Sequence, residues 1–381
     1  MNVGLSLSFK GQNYGQLLQA YATQIIIEKM GHHTEVIDYQ RKGFDGIRLT
    51  PWLLFYFIER IMRKSNNDQR KSDLFDELHK SNIVKRKAAA DNFRKSRFKN
   101  VRKCIGNTEL IEIGKKYDVV VVGSDQCWLP ESCFGNIRTL RFVPDDVRKV
   151  SYATSLGVSK YPIYCRSSAR QFLKRFDFIS VREEQGKKIV EGLCDKKVEV
   201  VLDPTYLLAR TEWEELIPIE KDIEESYILC YFIGDNKRSK EVAAEFGRNH
   251  GLKVVSILSD ESLSDIDETF ADEIIVGASP EKFVNLIRNA TYVMTDSFHG
   301  VAFSVINEKQ FYVFYRHSTT SAESRNSRID NILATWNIRD RLIVNGEEDR
   351  IGQNDIDYRA VNTILEKRRH ESMNFLERAL E

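Results

Sequence analysis

The chain has 381 residues, 42% of them hydrophobic, with 57 Lys and Arg against 56 Asp and Glu. That length supports two domains of ordinary size with real cores, and a net charge of +1 gives no global basis for nucleic-acid binding. Six scattered cysteines (Cys104, Cys127, Cys133, Cys165, Cys194 and Cys230) show no CxxC pair and no metal-type spacing. They read as free thiols of a reducing compartment, and no metal site is expected. No run reaches the roughly 18 apolar residues of a transmembrane helix. Met1 to Phe9 lacks the basic start and long apolar stretch of a signal peptide, so a cytoplasmic protein is expected.

Val3 to Phe9 reads as a first strand, followed by the glycine-punctuated loop Lys10 to Gly15. Leu17, Leu18, Tyr21, Ile25, Ile26 and Met30 then fall at helical spacing, with Gly31 as the stop. His33 to Tyr39 reads as the next strand, which completes a βαβ unit. Its loop lacks the GxGxxG spacing of dinucleotide sites, so Asn13, Tyr14 and Gly15 are equally a cleft wall or a tight turn. From Arg60 to Lys103 the composition changes to fifteen Lys and Arg against five Asp and Glu, preceded by the apolar Pro51 to Ile58. This segment fits an interfacial helix that docks on an anionic membrane. It fits better a helical hairpin with one apolar stripe (Leu74, Phe75, Leu78, Ile83, Phe93, Phe98) and a solvated basic face.

Val119 to Val122 is a continuous β-branched run, as expected of a strand buried on both faces of a parallel sheet. It ends in Gly123-Ser124-Asp125-Gln126. Arg148 to Tyr152 repeats the layout, as do Phe178 to Val181, with Arg182 and Glu183 at the exit, and Val198 to Leu202, closed by Asp203 and Pro204. After a charged stretch at 209–226, read as a linker, a second βα series begins with Tyr227 to Ile233. A helix over Lys240 to His250 and strands over Leu252 to Leu258 and Glu273 to Val276 follow. A helix over Pro280 to Arg288 then leads to the strand Ala290 to Met294. Gln310 to Tyr315 reads as the last strand, and the polar Arg316 to Arg328 as a loop. The final thirty residues read as an amphipathic helix.

The turn Thr295-Asp296-Ser297-Phe298-His299-Gly300 follows a buried strand and opens a helix. Such a turn presents backbone N–H groups and the positive end of the helix dipole, which suits an anion. His299 would stand at the carboxyl edge of a parallel sheet, where α/β proteins bind ligands. Asp296 is expected to orient His299 or to cap the helix.

Six stretches taken in order resemble the polysaccharide pyruvyl transferase family. They are Gly11 to Tyr21, Val122 to Trp128, Ser151 to Gly157, Ile179 to Glu183, Val201 to Thr205, and Thr295 to Gly300. The resemblance covers roughly residues 3 to 340. It implies an α/β, GT-B-like architecture: two Rossmann-type βαβ domains facing a central cleft, with a basic helical insert. The domains fall at 1–208 (insert at about 52–105) and 227–350, with the linker at 209–226 and a C-terminal helix over 351–381.

The resemblance further implies transfer of the enolpyruvyl group of phosphoenolpyruvate onto two hydroxyls of a sugar, leaving a pyruvate ketal. No cofactor is expected beyond that donor substrate. The acceptor would be a sugar or lipid-linked oligosaccharide of a cell-surface or exopolysaccharide precursor. Ketal formation needs proton transfers near neutral pH, which makes His299 the first catalytic candidate. Asp125 is the second, as a base or as a holder of acceptor hydroxyls. The donor carries a carboxylate and a phosphate, so arginines are expected around it. Arg182 is the first choice, then the loop residues Arg325 and Arg328, with amides of Ser297 to Gly300 assisting at the phosphate. Asn13, Tyr14 and Gln126 are expected on the acceptor side of the cleft, and Asp203 is expected to be structural. Two other readings remain open. One is a GT-B glycosyltransferase using a nucleotide sugar. The other is a non-catalytic scaffold held at the inner face of the membrane by the basic insert, with no nucleic-acid partner.

Overall fold

A computed structural model of the chain describes residues 1–43, 45, 77–234, 236–259, 269–316 and 327–381. Two parallel sheets carry it. The first half runs β1 (Asn2–Ser6), α1 (Tyr14–Lys29), β2 (His33–Gln40), α2 (Glu77–Arg97), β3 (Val101–Ile105) and α3 (Gly106–Gly114). It continues through β4 (Val119–Asp125), β5 (Arg148–Thr154), α4 (Ile163–Leu173), β6 (Phe178–Val181), α5 (Glu184–Glu191) and β7 (Val198–Val200). A short helix, α6 (Arg210–Leu216), leads to β8 (Tyr227–Tyr231), α7 (Lys237–His250), β9 (Lys253–Ile257), β10 (Glu273–Ile275) and α8 (Pro280–Asn289). The second half closes with β11 (Tyr292–Thr295), α9 (Phe298–Ile306), β12 (Gln310–Phe314), α10 (Ser327–Thr335), β13 (Leu342–Ile343) and α11 (Tyr358–Leu380).

The strand orders are β3-β2-β1-β4-β5-β6-β7 and β10-β9-β8-β11-β12-β13. Both reverse direction of growth at the centre, between β1 and β4 and between β8 and β11. In such doubly wound sheets the crevice outside the carboxyl ends at the reversal is where ligands bind. Val119 to Val122 are essentially inaccessible, as a strand covered by helices on both faces must be.

Three expectations are corrected here. Residues 101–105 belong to the first sheet as its edge strand, not to a helical insert; its exposed Arg102 and Lys103 are the charges that edge strands carry. Beyond β12, the two-residue β13 pairs in parallel at the margin of the second sheet. The stretch read as a linker contains α6, whose Trp213 is wholly buried and meets Phe303 edge-on at 5.1 Å.

The halves are joined by an apolar seam. Tyr14 stacks on Phe283 at 4.7 Å, and Tyr206 lies 5.0 Å from Trp336, whose Nε1 donates to the Tyr206 hydroxyl at 3.2 Å. The helical part of the basic segment among the described residues is α2, and it spans the same seam. Its buried face is largely polar: Asn82 Nδ2 donates to the Leu258 carbonyl (3.2 Å) and Asn82 Oδ1 accepts from Gly277 N (2.8 Å). Arg86 donates to Leu258 O (3.4 Å) and to Gln12 O (3.2 Å), with its guanidinium 4.4 Å above the Tyr14 ring. Arg94 donates to Phe9 O (3.2 Å) and Gly11 O (2.8 Å). The helix is thus a strut tied to loop backbone on both sides of the cleft. The interfacial stretch over residues 51–58 lies outside the described residues, and among those described no helix is long and apolar enough to cross a membrane.

Asn82→Ala would strand the Gly277 amide and weaken the hold on Leu258. A loss of about 1–3 kcal/mol is expected, read as a lowered urea midpoint with an unchanged slope.

α11 returns to the first half. Phe375 packs between Tyr152 and Phe178 (6.2 and 6.3 Å), and Ser372 Oγ accepts from Leu202 N at 2.9 Å.

Candidate active site

Four strand ends and two helix starts supply the site. Asp203, just after β7, is completely buried. Its Oδ1 accepts from Thr205 N (3.1 Å) and Thr205 Oγ1 (2.8 Å). Its Oδ2 receives Arg182 Nη1 at 2.8 Å and Ser124 Oγ at 3.0 Å, and stands 3.7 Å from His299 Nε2. Burial alone would raise this carboxyl, but His299 and Arg182 outweigh it and hold Asp203 below the usual carboxylate range.

Arg182, at the exit of β6, faces three carboxylates: Asp203, then Asp125 and Glu183 at 3.6 Å each. Burial works against its charge, yet Glu183, Asp203 and Asp125 prevail and raise it above the ordinary arginine value. Its guanidinium lies 4.1 Å over the Phe298 ring, so the start of α9, in the second half, seats directly on the first half.

His299 occupies the second position of α9, behind the cap Ser297, and is 7% exposed. Its ring lies against α1: a Cβ built on Gly15 would fall 1.9 Å from His299 Nδ1. Only glycine at that point lets the imidazole reach Asp203. Gly15→Ala is therefore expected to displace the ring, costing about 1–3 kcal/mol of stability and lowering kcat well beyond what that loss explains; thermal melts beside turnover rates check it.

Arg328, on α10, lines the same small cavity as Arg182, Glu183, Asp203 and Phe298. Burial and the neighbouring Arg182 bring it down to about 10, with Arg316 acting in the same direction. A further guanidinium group, that of Arg328, thus stands beside Arg182 from the second half. Several buried nitrogens here have no hydrogen-bond partner among the described residues: Arg182 Nε and Nη2, Arg328 Nε and His299 Nε2. Buried guanidinium nitrogens of Arg182 and Arg328 whose hydrogen bonds are unmade fit an anionic ligand, even with Asp125 and Glu183 standing 3.6 Å from Arg182. Among the described residues no cluster of His, Cys, Asp or Glu is arranged to hold a metal ion.

The other expected residues are placed as follows. Asp125 closes β4 in the left-handed region (φ 65°), with its side chain 16% exposed and turned to Arg182. Gln126 is half-buried against Gly157, its Nε2 also without a partner among the described residues. Asn13 caps α1, its Oδ1 accepting from Gln16 N at 3.2 Å. Tyr14 does not form an open cleft wall: it is 1% exposed, sealed by Phe283 and Tyr231 beneath Arg86.

Ser297 and Gly300 do not offer their amides to an anion. Gly300 N donates to Ser297 Oγ (3.4 Å), and Ser297 N donates to Thr295 Oγ1 (3.0 Å). Asp296 does not orient His299 either; it accepts from Ile233 N (2.8 Å) and Gly234 N (2.7 Å) and fastens the neighbouring turn. Arg325 lies outside the described residues. Sequence reasoning missed Asp203 as the partner of His299, and Arg316 altogether; the Asp-Pro pair ending a strand and the arginine following β12 were the available signals.

A sequence model of the polysaccharide pyruvyl transferase family matches residues 13–318, which contain every residue of this cluster except Arg328. The chain belongs to the polysaccharide pyruvyl transferase family. No functionally curated protein matches it. Among solved structures, UDP-GlcNAc 2-epimerase of Neisseria meningitidis bound to UDP-GlcNAc superposes with a TM-score of 0.52 at 12% identity. That match covers 100% of this chain and 99% of the other. UDP-GlcNAc 2-epimerase of Methanocaldococcus jannaschii in complex with UDP-GlcNAc and UDP gives 0.53 at 14% identity, with the same coverage. An alpha-glucosyltransferase in complex with UDP-glucose and DNA containing an abasic site gives 0.50 at 10% identity, covering 98% and 94%. At these identities the likeness is one of fold, and it places this pyruvyl transferase family member among GT-B, Rossmann-like proteins.

Proposed function

We propose that the protein transfers the enolpyruvyl group of phosphoenolpyruvate onto two hydroxyls of a sugar in a cell-surface or exopolysaccharide precursor, releasing phosphate and leaving a pyruvate ketal. The observation that carries this reading is the set of buried Arg182 and Arg328 nitrogens without hydrogen-bond partners among the described residues, in one small cavity that Asp203 links to His299. Arg182 and Arg328 take the donor carboxylate and phosphate. His299, held by Asp203, delivers a proton to the methylene carbon, which becomes a methyl group, and C2 becomes an oxocarbenium centre. One sugar hydroxyl adds to C2, and its proton returns to the imidazole. The C2–O bond to phosphate then breaks, the second hydroxyl closes the ring, and its proton leaves with phosphate. Charge on the oxocarbenium is met by Asp125 and Glu183, beside Arg182. Asp125 and Gln126 hold acceptor hydroxyls. The donor is a cytoplasmic metabolite, so the reaction is assigned to the cytoplasm.

Phosphate release from phosphoenolpyruvate, measured across sugar acceptors, tests the reading: release should require both donor and acceptor. If phosphoenolpyruvate neither releases phosphate nor stabilises the fold in thermal melts, while nucleotides do stabilise it, glycosyl transfer from a nucleotide sugar replaces this reading.

A further inference from the structure

Beside the donor cavity, a recess of about 240 Å³ opens between the start of α4 and the outer face of α5. Lys160, Arg166 and Lys188 line it, and Gln185 Nε2 donates to Ser159 O (2.6 Å) across its rim. Among the described residues none of these three cations is paired with a carboxylate, although exposed Lys and Arg elsewhere on the chain commonly are.

The recess adjoins the site through shared lining residues. A smaller hollow lined by Gly157, Glu183, Gln185 and Arg328 shares Gln185 with it. That hollow shares Glu183 and Arg328 with the donor cavity. The three hollows follow one another by shared lining residues, with Lys160, Arg166 and Lys188 at the far end. At the junction Glu183 is 7% exposed, and its Oε1 has no hydrogen-bond partner among the described residues, which suits a sugar hydroxyl as donor.

We infer that the recess lined by Lys160, Arg166 and Lys188 binds the phosphate groups that join the acceptor sugar to its carrier, while Glu183 receives a hydroxyl of that sugar. The inference rests on the pyruvyl-transfer reading only in calling the bound molecule the acceptor. Arg182 and Arg328 already answer the charge of the donor, so an anion in the recess belongs to a second molecule. Two or more negative charges match three cations. A nucleoside diphosphate sugar and a polyprenyl diphosphate sugar share that chemistry.

The test is calorimetric titration of the full chain and of the double variant Lys160→Glu/Lys188→Glu, both changes being on exposed side chains away from Arg182. The probes are inorganic pyrophosphate, UDP-glucose, farnesyl diphosphate in detergent, and phosphoenolpyruvate. The dissociation constant of pyrophosphate is expected to rise about tenfold or more in the variant, as for loss of charge-assisted contacts, with that of phosphoenolpyruvate unchanged within twofold. Whichever of UDP-glucose and farnesyl diphosphate follows pyrophosphate identifies the carrier. Equal pyrophosphate affinity in the two proteins, or no pyrophosphate binding to wild type, overturns the proposal. Because the readout is binding, a protein that turns over no phosphoenolpyruvate yet shows the charge-dependent loss refutes pyruvyl transfer and leaves the recess standing.

Discussion

His299→Ala is expected to lower acceptor-dependent phosphate release by about 10²–10⁴-fold, the usual contribution of a positioned general acid and base. The fold should survive the change. Asp203 keeps Arg182, Ser124 and Thr205 as partners, and the imidazole is not part of the apolar seam. Steady-state rates beside thermal melts separate the two effects. Release within threefold of wild type would remove His299 from proton transfer and return attention to Asp125.

Asp203→Ala is expected to be the more damaging change for stability. It leaves the buried guanidinium of Arg182 without its 2.8 Å partner and His299 without its only carboxylate neighbour among the described residues. Removing one member of a buried ion pair costs about 3–5 kcal/mol. Asp125 and Glu183, both at 3.6 Å from Arg182, should keep the loss toward the lower end. The pH dependence has a defined sign. The folded Asp203 carboxyl titrates below its ordinary value of about 3.9, so its contribution is complete above that value. It is lost as the pH falls through the folded pKa. Wild type should therefore lose stability below about pH 4 more steeply than the variant, in urea titrations between pH 3 and 6.

The βα alternation is legible in the sequence because parallel strands covered on both faces must be continuous apolar runs, of which Val119 to Val122 is the plainest. β3 is not legible, because an edge strand needs no apolar pattern and Val101 to Ile105 presents Arg102 and Lys103 to solvent. His299 and Arg182 can be picked out as polar residues at strand and helix ends. Their relation cannot, because it runs through Asp203, and a carboxylate tucked behind Pro204 has the local signature of a turn. Tyr14 shows the converse error: its neighbour Gly15 does meet His299 of the second half, but α1 is enclosed on nearly every side, so an aromatic ring there is packing. The polar face of α2 is misleading for a related reason. Asn82 and Arg86 look like solvent-facing residues until the backbone groups of Leu258 and Gly277 arrive from another sheet.

The strut and the returning helix mean that neither half of the molecule is one uninterrupted length of chain. α2 is encoded between β2 and β3 but fastened to Leu258 and Gly277, while α11 follows the second sheet but covers Tyr152 and Phe178 of the first. A protease nick within residues 209–226 should therefore release no free domain, and heating should melt both halves in one cooperative transition. The width of the cleft is then a property of the global fold rather than of a hinge, and a variant that loosens either crossing helix will show up first as altered substrate handling and only later as unfolding.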